Sequence, residues 1–224
     1  MAGATGSLRR KSLTLGPLAA NCHLLFTRGD GRAVVCDPGS EPEAIIETVE
    51  SLGLTVEAFF LTHAHIDHIG ALAALKREFP AAPVYLHAEE LAWLEDPVLN
   101  GAEWLGLPFE PVSGALPWPE SHSVEALGRT FRLFHSPGHS PGSTVIYSQA
   151  DDLAVGGDVL FRGSIGRTDL PGGDPRAMSK SLRALADELP PGTLFLTGHG
   201  PETTLAVELL ENPYVKLASG GSAV

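Results

Sequence analysis

From Thr62 to Gly70 the chain reads Thr-His-Ala-His-Ile-Asp-His-Ile-Gly, with three imidazoles (His63, His65, His68) and one carboxylate (Asp67) inside six residues. No folding requirement asks for that density of ligand-type side chains, whereas a divalent cation does. Imidazole nitrogens and carboxylate oxygens are donors that zinc accepts at about 2.0–2.2 Å. His63 and His65 are two apart, so on an extended turn both point to one side and can reach one ion. Asp67 and His68 can then address a second ion a few ångströms away. His139 lies in Ser136-Pro137-Gly138-His139-Ser140-Pro141-Gly142, where proline and glycine make a tight turn that presents the imidazole. Asp158 follows Gly156-Gly157, and His199 sits between Gly198 and Gly200, which let the backbone approach an ion closely. Alone, His139 reads equally as a turn histidine, and Asp158 as a helix cap. With the cluster they make seven donors. A structural zinc is satisfied by four. Seven are enough for two ions sharing a carboxylate and a water, the arrangement of a two-metal hydrolytic site.

These donors need elements to hold them. Apolar runs at 12–15, 22–27 and 33–36 read as strands, and Asp37-Pro38-Gly39 then turns the chain. Residues 41–52 read as a helix with Ile45, Ile46, Val49 and Leu52 on one face. A strand at 58–61 runs straight into the histidine cluster. Leu72, Leu75 and Phe79 predict a helix over 69–79, placing Asp67 and His68 at its N-terminus, where the dipole favours a bound anion. A strand at 84–86 and a short helix at 89–94 follow, then an irregular excursion over 97–119. Strands are predicted at 131–134, 144–147, 153–155 and 193–197, and helices at 175–189 and 202–211; residues 163–175 are Gly-rich and charged. Each donor stretch comes directly after a strand-like run. The order fits an α/β fold of two sheets packed face to face with helices outside. One domain is expected over 12–217, between flexible ends at 1–11 and 218–224.

Composition narrows the function classes. The 224 residues are 43% hydrophobic and 19% charged, as in a globular chain. The formal net charge of −12 repels phosphate backbones, so nucleic acid is not an expected partner. No stretch is long enough to span a membrane, and no apolar run follows the basic Arg9-Arg10-Lys11 to make a secretory signal. The two cysteines, Cys22 and Cys36, read as buried small hydrophobes in neighbouring strands, in keeping with a reducing cytoplasm. His23, His87, His122 and His135 are read as structural, with His135 the candidate to support His139.

Taken together, the donor stretches resemble the metallo-β-lactamase superfamily over about residues 13–213. The resemblance implies a four-layer αβ/βα metallo-β-lactamase-like sandwich, two packed mixed β-sheets with helices outside and the metals at one edge. It implies that His63, His65 and His139 hold one ion, that Asp67, His68 and His199 hold the other, and that Asp158 bridges them. Asp37 matches a carboxylate behind a ligand that orients it. His65 stands where the flavo-diiron reductases have glutamate, and Asp158 where the best-known zinc β-lactamases have cysteine. Phe161-Arg162-Gly163-Ser164-Ile165-Gly166-Arg167-Thr168-Asp169 and Gly198-His199-Gly200-Pro201-Glu202-Thr203-Thr204 are similar to the glyoxalase II (hydroxyacylglutathione hydrolase) branch in its short bacterial, single-domain form. Arg167 falls where the full-length form has a basic residue near the thiol carrier, and Asp169 where tyrosine is usual. The chain ends about 25 residues after His199, so the C-terminal contacts to glutathione are expected to be missing.

The expected reaction is hydrolysis of an acyl thioester of the S-lactoylglutathione type by a hydroxide bridging two divalent ions. Zinc is the first choice, with iron or manganese as alternatives, and Asp67 orients the hydroxide. The expected partner is therefore a small-molecule acyl thiol. The alternative on the same fold is a persulfide dioxygenase using one Fe(II) on His63, His139 and Asp158, the two-histidine, one-carboxylate pattern for iron. A metal-stabilised binding module is the non-enzymatic alternative, but closed structural zinc sites favour cysteine, and neither cysteine is near the cluster.

Overall fold

At 33–36 and 58–61 successive side chains are apolar, so both faces of these strands must be covered. The computed structural model, which describes residues 6–27, 29 and 31–218, covers them with a second sheet on one side and helices on the other. The strands are β1 (Leu8–Leu15), β2 (Ala20–Thr27), β3 (Arg32–Cys36), β4 (Thr55–Phe60), β5 (Val84–Leu86), β6 (Leu116–Pro117), β7 (Ser123–Ala126), β8 (Arg129–His135), β9 (Thr144–Ser148), β10 (Leu153–Gly157), β11 (Leu194–Thr197) and β12 (Thr203–Thr204). The helices are α1 (Pro42–Ser51), α2 (Ile66–Ile69), α3 (Leu72–Glu78), α4 (Ala102–Leu105), α5 (Pro175–Glu188), α6 (Leu205–Glu211) and α7 (Pro213–Ala218), with a 3-10 helix at Ala88–Leu94.

Strands β1 to β6 form one six-stranded sheet in sequence order, and β12 to β7 the other in reverse order. Both sheets are mixed: β3–β4–β5–β6 and β10–β11 pair in parallel, the rest antiparallel. The period-2 alternation of strands sorts the apolar residues into three layers. Val34, Cys36, Ala58 and Phe60 meet Phe131, Ile146, Val155 and Leu196 between the sheets. Val35 and Phe59 face outward onto Ile45 and Val49 of α1 and Leu72 and Leu75 of α3. Tyr147, Ala154 and Phe195 pack under Met178, Leu182 and Leu185 of α5 and Val215 of α7. The result is the expected αβ/βα sandwich. Phe60 is fully buried at its centre, edge-on to Phe131 at 5.7 Å and Trp118 at 5.2 Å. Removing such a ring costs about 3–5 kcal/mol.

Several elements differ from expectation. Strand β1 starts at Leu8, so Leu8–Lys11 belongs to the sheet and is not a flexible arm. It is an exposed edge strand, and Arg9, Arg10 and Lys11 supply the charge that protects an edge while hiding any alternation. Ala218 is buried as the last residue of α7, so the expected flexible C-terminus does not begin there; residues 1–5 and 219–224 lie outside the described residues. The helix expected over 69–79 is broken. Ala71 N donates to Pro38 O, and Gly70 packs against the carbonyl of Gly39, a contact that leaves no room for a side chain. Asp67 and His68 therefore sit in the single turn of α2, not at the head of a long helix. The excursion at 97–119 contains α4 and β6, and β7, β12 and α7 are additions to the sequence reading. Cys22 and Cys36 are buried and free, on opposite faces of their sheet. Among the described residues, no helix is long and apolar enough to cross a membrane.

Candidate metal centre

Every predicted donor follows the C-terminal end of a strand. His63 and His65 follow β4 with Asp67 and His68 in the next turn, and the supporting Asp37 likewise follows β3. His139 follows β8, Asp158 follows β10, and His199 follows β11. The parallel pairs β3–β4 and β10–β11 each bring two such ends to one edge of a sheet. The two edges are joined where Asn21 N donates to Gly198 O at 2.7 Å, so donors from both sheets converge.

Two groups form. Ligand atoms of His63, His65 and His139 lie within 4.8 Å of one another, and so do those of Asp67, His68 and His199. Asp158 faces both: its Oδ2 is 3.5 Å from His139 Nε2 and 3.5 Å from His199 Nε2, and its Oδ1 is 3.4 Å from His68 Nε2. All seven sequence-predicted donors are thus brought together.

The space between them fits divalent cations. His63 Nε2, His68 Nε2 and Asp158 Oδ1 are buried without a hydrogen-bond partner. An unsatisfied buried polar group costs about 1–3 kcal/mol, so three side by side call for cations to satisfy them. A Cβ at position 198 would run into Asp158 Oδ1 and the His68 ring, so Gly198 keeps the cradle open. Imidazole and carboxylate donors without thiolate suit zinc, iron or manganese.

Electrostatics divide the histidines. Burial, then the neighbouring imidazoles His68, His139 and His65, hold His63 well below the usual histidine range. Burial and His139 push His65 down to about 3. Both are neutral at pH 7, the form with a free lone pair. Burial also opposes the charged form of His68, but the carboxylates of Asp158, Asp67 and Asp37 outweigh it and raise that pKa well above the usual value. Asp158 is held low despite its burial by His68, His139 and His199. The same carboxylates make a negative field that suits a cation at this place.

Surrounding groups aim these rings. Asp37 is buried in a left-handed conformation (φ 51), uncommon outside glycine. Its Oδ1 accepts from Thr62 N at 2.8 Å and its Oδ2 from Thr62 Oγ1 at 2.7 Å, while Oδ2 stands 3.2 Å from His68 Nδ1. That bond turns His68 Nε2 toward the site. His139 Nδ1 is 2.8 Å from the Arg167 carbonyl, which leaves Nε2 for the site. The guanidinium of Arg167 stands apart from this, on the rim, paired with Asp169 at 2.8 Å. Of the other histidines, His23 is buried between Ser12 Oγ and Thr197 O. His135 Nε2 lies 2.8 Å from Pro141 O in the His139 turn, and its ring stacks on His87.

One supporting residue escaped the sequence reading. Glu90 is fully buried; its Oε2 accepts from Ala64 N and its Oε1 from Gly142 N, both at 2.6 Å. It clamps the His63–His65 turn to the turn that carries His139. No motif marks it, because its partners are backbone amides 26 and 52 residues away. Above the donors an open cavity of about 480 Å³ reaches the surface, with His65, Asp67, His139, Asp158 and His199 as its floor.

The chain is 40% identical over 215 residues to the probable metallo-hydrolase YqgX of Bacillus subtilis, covering 93% of this chain and 98% of that one. It is 34% identical over 203 residues to the hydroxyacylglutathione hydrolase GloC of Haemophilus influenzae, covering 89% and 94%. Among solved structures it is similar to TTHA1623 in a di-iron-bound form (TM-score 0.82, 41% identity, covering 91% and 99%) and to the BLEG-1 B3 metallo-β-lactamase (TM-score 0.88, 43% identity, covering 92% and 99%). The fold also matches ETHE1 from Myxococcus xanthus (TM-score 0.76, 25% identity, covering 96% and 86%). The pattern of the metallo-β-lactamase superfamily matches residues 15–199, and with the strand-end donors in place the chain belongs to that metal-binding superfamily.

Proposed function

We propose that the protein is a two-metal hydrolase of acyl thioesters. The observation that carries this reading is Asp158, whose carboxylate faces two complete donor groups at 3.4–3.5 Å. In this reading His63, His65 and His139 hold one cation, Asp67, His68 and His199 hold the other, and Asp158 is shared. Zinc is the first candidate. Bound divalent ions supply a water acidified to a pKa of about 7 and a positive field for a developing oxyanion.

The chain's own residues do the rest. Asp67 is partly exposed on the cavity floor, with Oδ2 3.2 Å from His199 Nε2, and stands to accept a hydrogen bond from the attacking water. The His139–Arg167 carbonyl bond and the Asp37–His68 bond keep the rings from rotating as charge builds. No protein nucleophile is required, since a thiolate leaves readily. Cys22 and Cys36 are unsuited to that role: both are buried, and burial followed by Asp37 raises their thiol pKa values. The substrate is a small acyl thiol met in the cytoplasm, and the net charge of −12 speaks against nucleic acid.

The GloC relative supports the thioester class, and YqgX the hydrolase class. A second reading, one Fe(II) on His63, His139 and Asp158 oxidising a persulfide, draws on the likeness to ETHE1. The complete Asp67–His68–His199 group favours the hydrolase. Metal analysis of protein purified without added metal separates the two, together with thioester cleavage and oxygen uptake on a persulfide. Two ions per chain and thioester cleavage are expected; one iron with oxygen consumption would overturn the proposal.

A further inference from the structure

We infer that the substrate is held by an uncharged apolar chain lying against Trp104, rather than by the carboxylates of a glutathione-like carrier; this rests on the thioester-hydrolase reading. Six large apolar side chains form the cavity walls above the donors. Leu18 comes from the β1–β2 turn, Trp104 and Leu105 from α4, and Phe161, Ile165 and Leu170 from the segment after β10. Leu18, Trp104 and Leu105 are 40%, 48% and 39% exposed. Large apolar side chains from segments about 85 residues apart thus converge on one mouth while remaining open to water, as at a ligand site.

Trp104 is held in place. Its indole packs on Gly101, where a Cβ would meet the ring at 2.7 Å, and left-handed glycines at 101 and 106 bound the helix. Asn100 ties α4 to the donors, because its carbonyl accepts from Ile66 N at 2.9 Å and its Oδ1 accepts from Ala102 N at 3.0 Å. The wall and the reacting centre therefore keep a set spacing.

The polar groups of the lining are largely engaged. Asn100 also donates Nδ2 to Trp93 O at 2.8 Å. Arg167 is the only guanidinium or ammonium among the described lining residues, and its Nε and Nη2 meet Asp169 at 2.8 and 2.9 Å. A carrier carboxylate approaching this guanidinium would meet the like charge of Asp169, which already neutralises it. An apolar chain meets a surface that is already complementary, and burying each methylene there strengthens binding about fourfold.

The test uses the metal-loaded protein and non-hydrolysable thioethers. One series lengthens the acyl-side chain at constant N-acetylcysteamine, and another lengthens the thiol-side chain at constant acyl mimic. S-alkylglutathiones of matched length form a third arm. Binding is read from tryptophan emission, since Trp93 and Trp118 are buried and Trp104 is the exposed tryptophan. Affinity should rise about fourfold per methylene in one of the first two series, with a blue shift, and that series identifies which end of the substrate carries the chain. Trp104→Ala should flatten the slope, read by calorimetry, and Trp104→Phe should restore most of it. A flat dependence on length, a slope unchanged in Trp104→Ala, or tighter binding of the glutathione conjugates would overturn the inference. If the slope appears but no thioester is cleaved, the apolar site stands and the hydrolase reading fails. If thioesters are cleaved with no length preference, the reverse holds.

Discussion

Replacing Glu90 should loosen the His63–His65–His139 donor group from both of the turns that build it. Its carboxylate has no exposed surface and accepts from Ala64 N and Gly142 N at 2.6 Å each. Ala64 lies between His63 and His65, and Gly142 is three residues beyond His139, so one side chain spans donor turns from the two sheets. Glu90→Ala leaves two buried N–H groups without an acceptor. At about 1–3 kcal/mol each, the loss is about 4 kcal/mol together. Glu90→Gln keeps one acceptor oxygen and opposes its NH₂ to the other N–H, for about 2 kcal/mol. Losing a group that orients ligands weakens metal binding by about 10–100-fold. Urea unfolding of the metal-free variants measures the first quantity, and competition with a chelating dye the second. The pH dependence carries its own sign. Burial lifts Glu90 above its ordinary 4.5, against hydrogen bonds from Ser140, Gly142 and Ala64. Between 4.5 and the raised value the folded chain keeps a proton that the unfolded chain has lost, so stability falls as pH rises through that window. Glu90→Gln should lack this slope. A Glu90→Ala protein that unfolds within about 1 kcal/mol of the parent, or binds metal with parental affinity, would refute the clamp.

Asp158→Ala should lower occupancy in both donor groups, whereas His199→Ala should mainly empty one; elemental analysis showing two tightly held ions in Asp158→Ala would count against the shared carboxylate. Gly198→Ala should keep its circular dichroism but lose metal, because the new methyl meets Asp158 Oδ1 and the His68 ring; undiminished metal content would mean that the cradle has slack. Asp151 is held below its usual value, against burial, by Arg129 at 2.7 Å and by Ser148. Its contribution is full above the unfolded value of 3.8 and is lost as pH falls through the depressed folded value. Asp151→Asn should therefore cost about 1 kcal/mol at neutral pH, since solvent screens this part-buried pair, with the gap to the parent closing in acid, as followed by thermal melts from pH 7 down to about 2.

The donors were legible because their chemistry is local. His63, His65, Asp67 and His68 announce themselves by density, and Asp158 and His199 by the glycines beside them. The αβ/βα layering was legible for a similar reason, since alternation along β3 and β4 decides which side chains face the second sheet and which face the helices. The polar edge strand β1 was read short, because an edge buries little and so writes little into the pattern. The break between α2 and α3 depends on Pro38 and Gly39 reaching across to Ala71 and Gly70, which no helical periodicity within 66–79 records. Only the tertiary structure decided that Glu90 clamps two donor turns, that Arg167 pairs with Asp169, and that Trp104 and Leu18 line one cavity. The physical reason is separation along the chain. A donor's type and the turn that presents it are set by adjacent residues, whereas a buried carboxylate or an indole acquires its role from backbone brought to it by the packing of two sheets.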